Sequence, residues 1–316
     1  MKGQFLKMHN GKEGNNFLRR HKDLAEVKYL NIKKDFEWRV IIKNSGPNKD
    51  HLLRHEMKMT SWHRKILAFV VDEANAMLDR YSPRSPRASL DLIKMADDEL
   101  FKKVGMENHD GFCSGNLQLV VLRGSASFTS TTLADIAFHE LMHLFSFQRN
   151  VLLGGDGDDW PMIRPERFGL VVYPQSDPEP RYFMCINESI TVELTSRFWG
   201  SVRSSELFRN DFWRLKEAYG PTKGYCFLVM ARNKDGNLEP KRGIAYPVEY
   251  GKTKVTIKEM YERNKDNFRS PDEVMDLFIK AYFSGKILPI ARLIERTYGK
   301  GYFRKIGRIS AKIDEL

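Results

Sequence analysis

The stretch from Ile136 to Phe147 is almost wholly apolar, yet it carries His139, Glu140 and His143. Ala134, Ile136, Ala137, Phe138, Leu141, Met142, Leu144 and Phe145 leave little polar surface for a solvent-facing helix. A helix that is apolar nearly all round is a buried one. Residues four apart on a helix share a face, so the two histidines come together inside the core with Glu140 beside them. Buried polar groups without partners cost roughly 2–7 kcal/mol each. The fold must therefore supply partners, and one metal ion would satisfy both rings at once. Thr132 and Asp135 form a T-x-x-D pattern that marks the expected start of this helix.

Five of the eight histidines precede residue 66, and only His109 accompanies the motif pair in the remainder. A catalytic zinc takes three protein ligands and leaves one position open for water. The extended HExxHxxGxxH pattern fails, because Ser146 and Arg149 occupy its last two fixed positions and no histidine follows His143. The third ligand must be a carboxylate, a cysteine or an upstream residue. Glu188, in Ile186-Asn187-Glu188-Ser189-Ile190-Thr191-Val192-Glu193, reads as part of a second helix 45 residues after His143. Glu193 is a rival. So are the aspartates of Gly154-Gly155-Asp156-Gly157-Asp158-Asp159, although glycine and aspartate also make ordinary turns.

The HExxH helix followed by an Asn187-Glu188 pair resembles the gluzincin metallopeptidases, the thermolysin-like group, over roughly residues 115 to 200. The resemblance implies zinc bound by His139, His143 and Glu188, with Glu140 as general base and Asn187 as structural partner of the third ligand. It implies hydrolysis of peptide or protein substrates, and a tyrosine or histidine donor for the oxyanion. Because no histidine follows the motif, a tyrosine is expected: Tyr182, six residues before Glu188, with Tyr173, Tyr246 and Tyr250 as competitors. Two departures stand out. Thermolysin-like enzymes place an aspartate four residues after the ligand glutamate, where this chain has Val192, with Glu193 one residue further. The interval from His143 to Glu188 is also long, closer to the layout of lethal-factor-type proteases. Cys185 lies one helical turn before Glu188, where it is a small apolar residue or a neighbour of the metal.

Three cysteines are too few and odd in number for a disulfide framework. No apolar run reaches membrane-spanning length, and residues 1–9 lack the apolar segment of a secretory signal. A cytoplasmic protein without a membrane segment is the expectation. The formal charge of +11 is unevenly placed: residues 1–65 carry 16 Lys+Arg against 7 Asp+Glu, and residues 251–316 carry 15 against 9, leaving the middle net acidic. Such basic flanks suit an acidic partner or nucleic acid, or are simply solvated surface.

The pattern along the chain predicts an α+β protein. Residues 1–35 read as a basic tail, 36–200 as a zincin-like catalytic domain and 201–316 as a mostly helical lobe. Phe36–Ile42 is an expected strand, and 52–80 is one long or broken helix. Leu90–Ile93 and Leu117–Leu122 read as strands flanking a short helix at 98–104. They predict a small mixed sheet against the motif helix, with 117–122 or 124–127 as the edge that receives extended substrate. Ser270-Pro271-Asp272-Glu273 is a helix start. Val274, Leu277, Phe278, Ala281 and Tyr282 follow on one face, and Gly285 ends that helix. Another is expected over 287–298, closed by Gly299.

Overall fold

Helix α1 (Ser61–Tyr81) opens the ordered core. Thr60 caps it, accepting from the His63 amide, and Ile66, Leu67, Val70, Ala74 and Leu78 recur on its buried face. The helix is shorter than the expected 52–80 because Glu56–Met57 extends as strand β2. The computed structural model describes residues 5–7, 54–114, 118–124, 128–153, 162–173, 181–220, 227–232, 238–243 and 246–309. The expected strand 36–42, the 154–159 glycine-aspartate cluster, the 125–127 segment and most of the basic N-terminal region lie outside these residues.

A mixed four-stranded sheet runs in the order β2, β3 (Ile93–Ala96), β5 (Leu119–Arg123), β4 (Gly111–Ser114). Strands β3 and β5 are parallel, with helix α2 (Asp98–Lys103) between them in sequence, whereas β2 and β4 pair antiparallel with their neighbours. Two expectations are corrected here. Leu90–Leu92 forms a short 3-10 turn, and the strand begins at Ile93, since Ile93, Met95 and Ala96 are the residues the core covers. The strand near 117–122 is internal, hydrogen-bonded on both sides, so among the described residues the outer strand beside the motif helix is β4.

Helix α3 (Ser130–Phe145) packs against β4 and β5. Its cap is Thr129, whose side chain accepts from the Thr132 amide, and not the Thr132/Asp135 pair. Asp135 is instead one turn inside the helix, accepting from the Trp199 indole at 2.9 Å. Asp211, from helix α5 (Arg209–Tyr219), accepts from both the Thr131 amide and hydroxyl at the α3 N-terminus. A carboxylate there is also favoured by the helix dipole.

A second sheet pairs β1 (Phe5–Lys7), β6 (Gln148–Leu153), β7 (Met162–Phe168) and β8 (Val171–Val172) in that order, all antiparallel. It leads into α4 (Met184–Ser204), the helix that carries Glu188. Beyond residue 201 the chain forms α5, a hairpin of β9 (Phe227–Arg232) and β10 (Leu238–Gly243), and helices α6 (Pro247–Glu262), α7 (Pro271–Ser284), α8 (Leu288–Tyr298) and α9 (Tyr302–Ile309). The bounds of α7 are those the sequence predicts, with Ser270 and Gly285 capping it, and α8 begins one residue later than expected and ends before Gly299 as expected. One hydrophobic cluster joins Ile66, Leu133, Leu194, Met260, Phe278 and Ile294, so both halves of the chain share a core. Among the described residues, no helix is long and apolar enough to cross a membrane.

Candidate metal centre

Helices α3 and α4 pack on one another, which brings the one-turn pair His139 and His143 against Glu188. His139 Nε2 and His143 Nε2 are 3.1 Å apart. Glu188 Oε2 is 3.1 Å from the second and 3.4 Å from the first. Ligands about 2.0–2.1 Å from a tetrahedral zinc stand about 3.3 Å from each other. The three donors therefore frame a tetrahedral face already, and the group could hold a metal ion. Both histidines are 7 % exposed. Burial by itself would raise the Glu188 carboxyl, but His143 and His139 hold it well below its usual value. Burial would lower His143, yet the charge and hydrogen bond of Glu188, with Glu140 behind, raise it.

Glu140, on the same helix, is partly buried and stays outside the donor group. Its charge reaches His143, Tyr246 and Cys113. Cys113 is on β4, one of the strands that α3 packs against. Burial, then Glu140, pushes the Cys113 thiol well up. Cys185 is buried one turn before Glu188 and is not among the converging donors.

The four sequence-predicted tyrosines separate. Tyr182 bridges Val172 through its backbone, and among the described residues no polar contact joins it to the donor group. Tyr250 donates to Glu193 Oε2 at 2.7 Å. Tyr173 lies under the Arg181 guanidinium and near enough to Glu188 to feel its charge. Tyr246 stacks on His139, with ring centroids 5.9 Å apart. Burial, Glu188 and Glu140 all raise its phenol, so it remains a proton donor at neutral pH.

Glu193 proves to be structural. One oxygen takes Arg197 Nε at 2.8 Å, and the other takes Tyr250 and Lys254 from α6. Arg197 continues to Asp276 on α7 at 2.6 Å. Val192, at the position where the resemblance places an aspartate, is fully buried. His139 Nδ1 has no hydrogen-bond partner among the described residues.

One residue of the site escaped the sequence reading. Tyr282 on α7, predicted only as a core face residue, brings its hydroxyl to 3.2 Å from His143 Nδ1 and 3.1 Å from Thr191 Oγ1. Its ring presses on Gly169, which holds φ +58° and whose added Cβ would fall 2.9 Å from Tyr282 Cε2. Asn187, buried at 1 %, accepts from the Leu170 amide of the same turn and so ties it to the ligand helix. The α7 spacing identifies Tyr282 as buried; nothing local in the sequence points it at a histidine 139 residues away.

Comparisons with models of protein families, with curated proteins and with solved structures find no match.

Proposed function

We propose that this chain is a zinc-dependent peptidase with a gluzincin-like catalytic core. The observation that carries the reading is the triangle of His139, His143 and Glu188, with side lengths suited to a tetrahedral ion and Glu140 beside it but outside it. Three protein donors leave a fourth position for water or substrate, as a catalytic zinc site requires.

A bound zinc ion would polarise the scissile carbonyl and acidify the attacking water. The rest of the chemistry falls to side chains. Glu140 takes the proton of the water and returns it to the departing amine. Tyr246, protonated and 37 % exposed, donates to the oxyanion as it develops. Strand β4, outermost in its sheet among the described residues, offers an edge to an extended substrate by strand addition. An apolar cavity of about 660 Å³ lies between α4 and the C-terminal helices, lined by Cys185, Ile186, Val248, Ile257, Phe278 and Ile294 among others.

The test measures bound metal and digestion of an unfolded protein, for wild type and Glu140→Gln, with the new termini read by mass spectrometry. Stoichiometric zinc and Glu140-dependent cuts are expected. Zinc without any Glu140-dependent cleavage would leave only a metal-binding protein.

A further inference from the structure

Around the connection of α6 to α7 the cations stand beside carboxylates: Arg263 with Glu259, Lys265 with Glu262 and Arg269 with Glu273. That pairing stops at α8. From Leu288 to Ile309 the sequence holds six cations, Arg292, Arg296, Lys300, Arg304, Lys305 and Arg308, against one acid, Glu295. All six are exposed, and among the described residues none has a carboxylate at ion-pair distance. Glu295 is already engaged, accepting from the Gly301 amide at 3.1 Å.

Packing turns these charges outward. Helix α8 buries Ile290, Leu293 and Ile294, and Arg292 and Arg296 fall away from that side. Helix α9 lays Phe303 on Phe183, with ring centroids 4.7 Å apart, and Arg304 and Arg308 lie on another flank. Tyr298 and Tyr302 stack at 4.8 Å across the turn between the helices, with Lys305 over Tyr302. Phe183 directly precedes α4, and its amide donates to the Gly307 carbonyl at 3.1 Å. The basic helices are therefore fastened to the start of the helix that carries Glu188.

We propose that α8 and α9 form a docking surface for the phosphate backbone of a nucleic acid. Each arginine pair is four residues apart, about 6 Å along the helix axis, close to the distance between successive phosphates of one strand. Guanidinium groups also match phosphate oxygens two at a time. Other partners need features this surface lacks. A bilayer takes a broad apolar helix face, and here the apolar faces of both helices turn to the core. A protein partner takes aromatic or aliphatic anchors, and among the large apolar residues of α8 and α9 Leu288 alone is mostly exposed, at 56 %. Charge without anchors suits a polyanion bound by release of its counterions, whatever its sequence. The proposal goes beyond the peptidase reading and does not rest on it.

The test titrates a fluorescein-labelled single-stranded oligouridylate with the full chain at several salt concentrations, read by anisotropy. Arg304→Gln combined with Arg308→Gln should weaken binding roughly 25-fold at about 0.1 M salt, and should flatten the slope of log affinity against log salt by about 1.4, two phosphate contacts at ~0.7 each. Arg292→Gln combined with Arg296→Gln should act alike. Lys265→Gln combined with Arg269→Gln removes the same formal charge from paired positions and should leave both readouts nearly unchanged. The basic residues before position 66 add their own attraction, so the difference between these variants decides, and not the binding of wild type. The substituted positions are exposed, and thermal melts should match wild type. Equal losses in all three double variants would reduce the effect to net charge and overturn the proposal. So would unchanged binding in the α8 and α9 variants, or arginine-dependent binding to phosphatidylserine vesicles in place of the oligonucleotide.

Discussion

The ring of Tyr246 lies over that of His139, its plane 18° from parallel and its centroid 5.9 Å away. Tyr246 holds this place at the start of α6 in a left-handed conformation, φ 43° and ψ 52°. A residue with a side chain pays of order 1 kcal/mol or more for such a backbone and keeps it only where the surroundings impose it. Here α6 is clamped to the ligand helix by Tyr250 and Lys254 on Glu193 and by Thr253 on Ser189. Removing the hydroxyl in Tyr246→Phe should lower kcat about 10²–10³-fold with little change in KM, the usual cost of losing an oxyanion donor. Tyr182→Phe should leave both constants near wild type. Steady-state kinetics on any cleavable peptide decides between them, and the opposite pattern would return the role to Tyr182.

Loss of one donor should be separable from loss of the base. Glu188→Ala and His139→Ala are expected to come out of purification without zinc, whereas Glu140→Gln keeps one ion per chain and loses turnover by about 10²–10⁴-fold. Glu193→Ala should keep the ion yet lose about 1–3 kcal/mol of stability, because Tyr250 loses its acceptor and Arg197 keeps only Asp276 of its two carboxylates. Metal analysis and denaturant melts of the four variants make the comparison. A zinc-free Glu193→Ala that folds normally would mean the wrong glutamate has been assigned.

The acid response of the metal-free chain follows from the ion pair at the site. Glu188 lies below its usual 4.5, so its contribution to stability is present above that value and fades as pH falls towards the depressed one. His143 is raised above 6.5, so its contribution is complete below 6.5 and disappears as pH climbs through the raised value. Both describe one pair, and its stabilisation is greatest between pH 4.5 and 6.5. The difference in melting temperature between chelated wild type and chelated Glu188→Gln should peak in that window. Zinc affinity should run the other way and weaken as the pH drops, because a ligand histidine must be neutral. A pH-independent difference between the two proteins would remove the pair from the account.

Gly169 tests the wall behind the site. Its φ of +58° disfavours any side chain, and an added Cβ would meet the Asn187 side-chain oxygen and the Tyr282 ring. Gly169→Ala should cost roughly 1–3 kcal/mol. It should also weaken zinc binding, although residue 169 is not a ligand. A mutant with lowered stability and intact zinc affinity would separate the turn from the metal centre.

The histidine pair was legible in the sequence because helical spacing is local information: four residues bring His139 and His143 to one face. Glu188, 45 residues on, was reached only through the resemblance carried by the Asn187-Glu188 pair. The caps of α7 were legible because they too are local. What escaped depends on packing. The T-x-x-D pattern suggested a start at Thr132, but Thr129 does the capping and Asp135 answers the indole of Trp199, 64 residues away. Leu90–Ile93 alternates like a strand until burial selects Ile93 and Met95. Glu193 read as a ligand rival until α6 and Arg197 occupied both its oxygens. Tyr282 carries no mark at all in its neighbourhood, since a tyrosine on an apolar helical face looks like core.

The contact between Tyr282 and His143 spans 139 residues. Its consequence concerns the order in which the site is completed. During synthesis the HExxH segment emerges first, then Glu188, then Tyr246, and Tyr282 last. A chain stopped before α6 holds the three donors in sequence but has neither the phenol over His139 nor the one behind His143. If the proposed peptidase reading holds, full activity would await the docking of the final helices, and the unfinished chain would be spared its own cleavage.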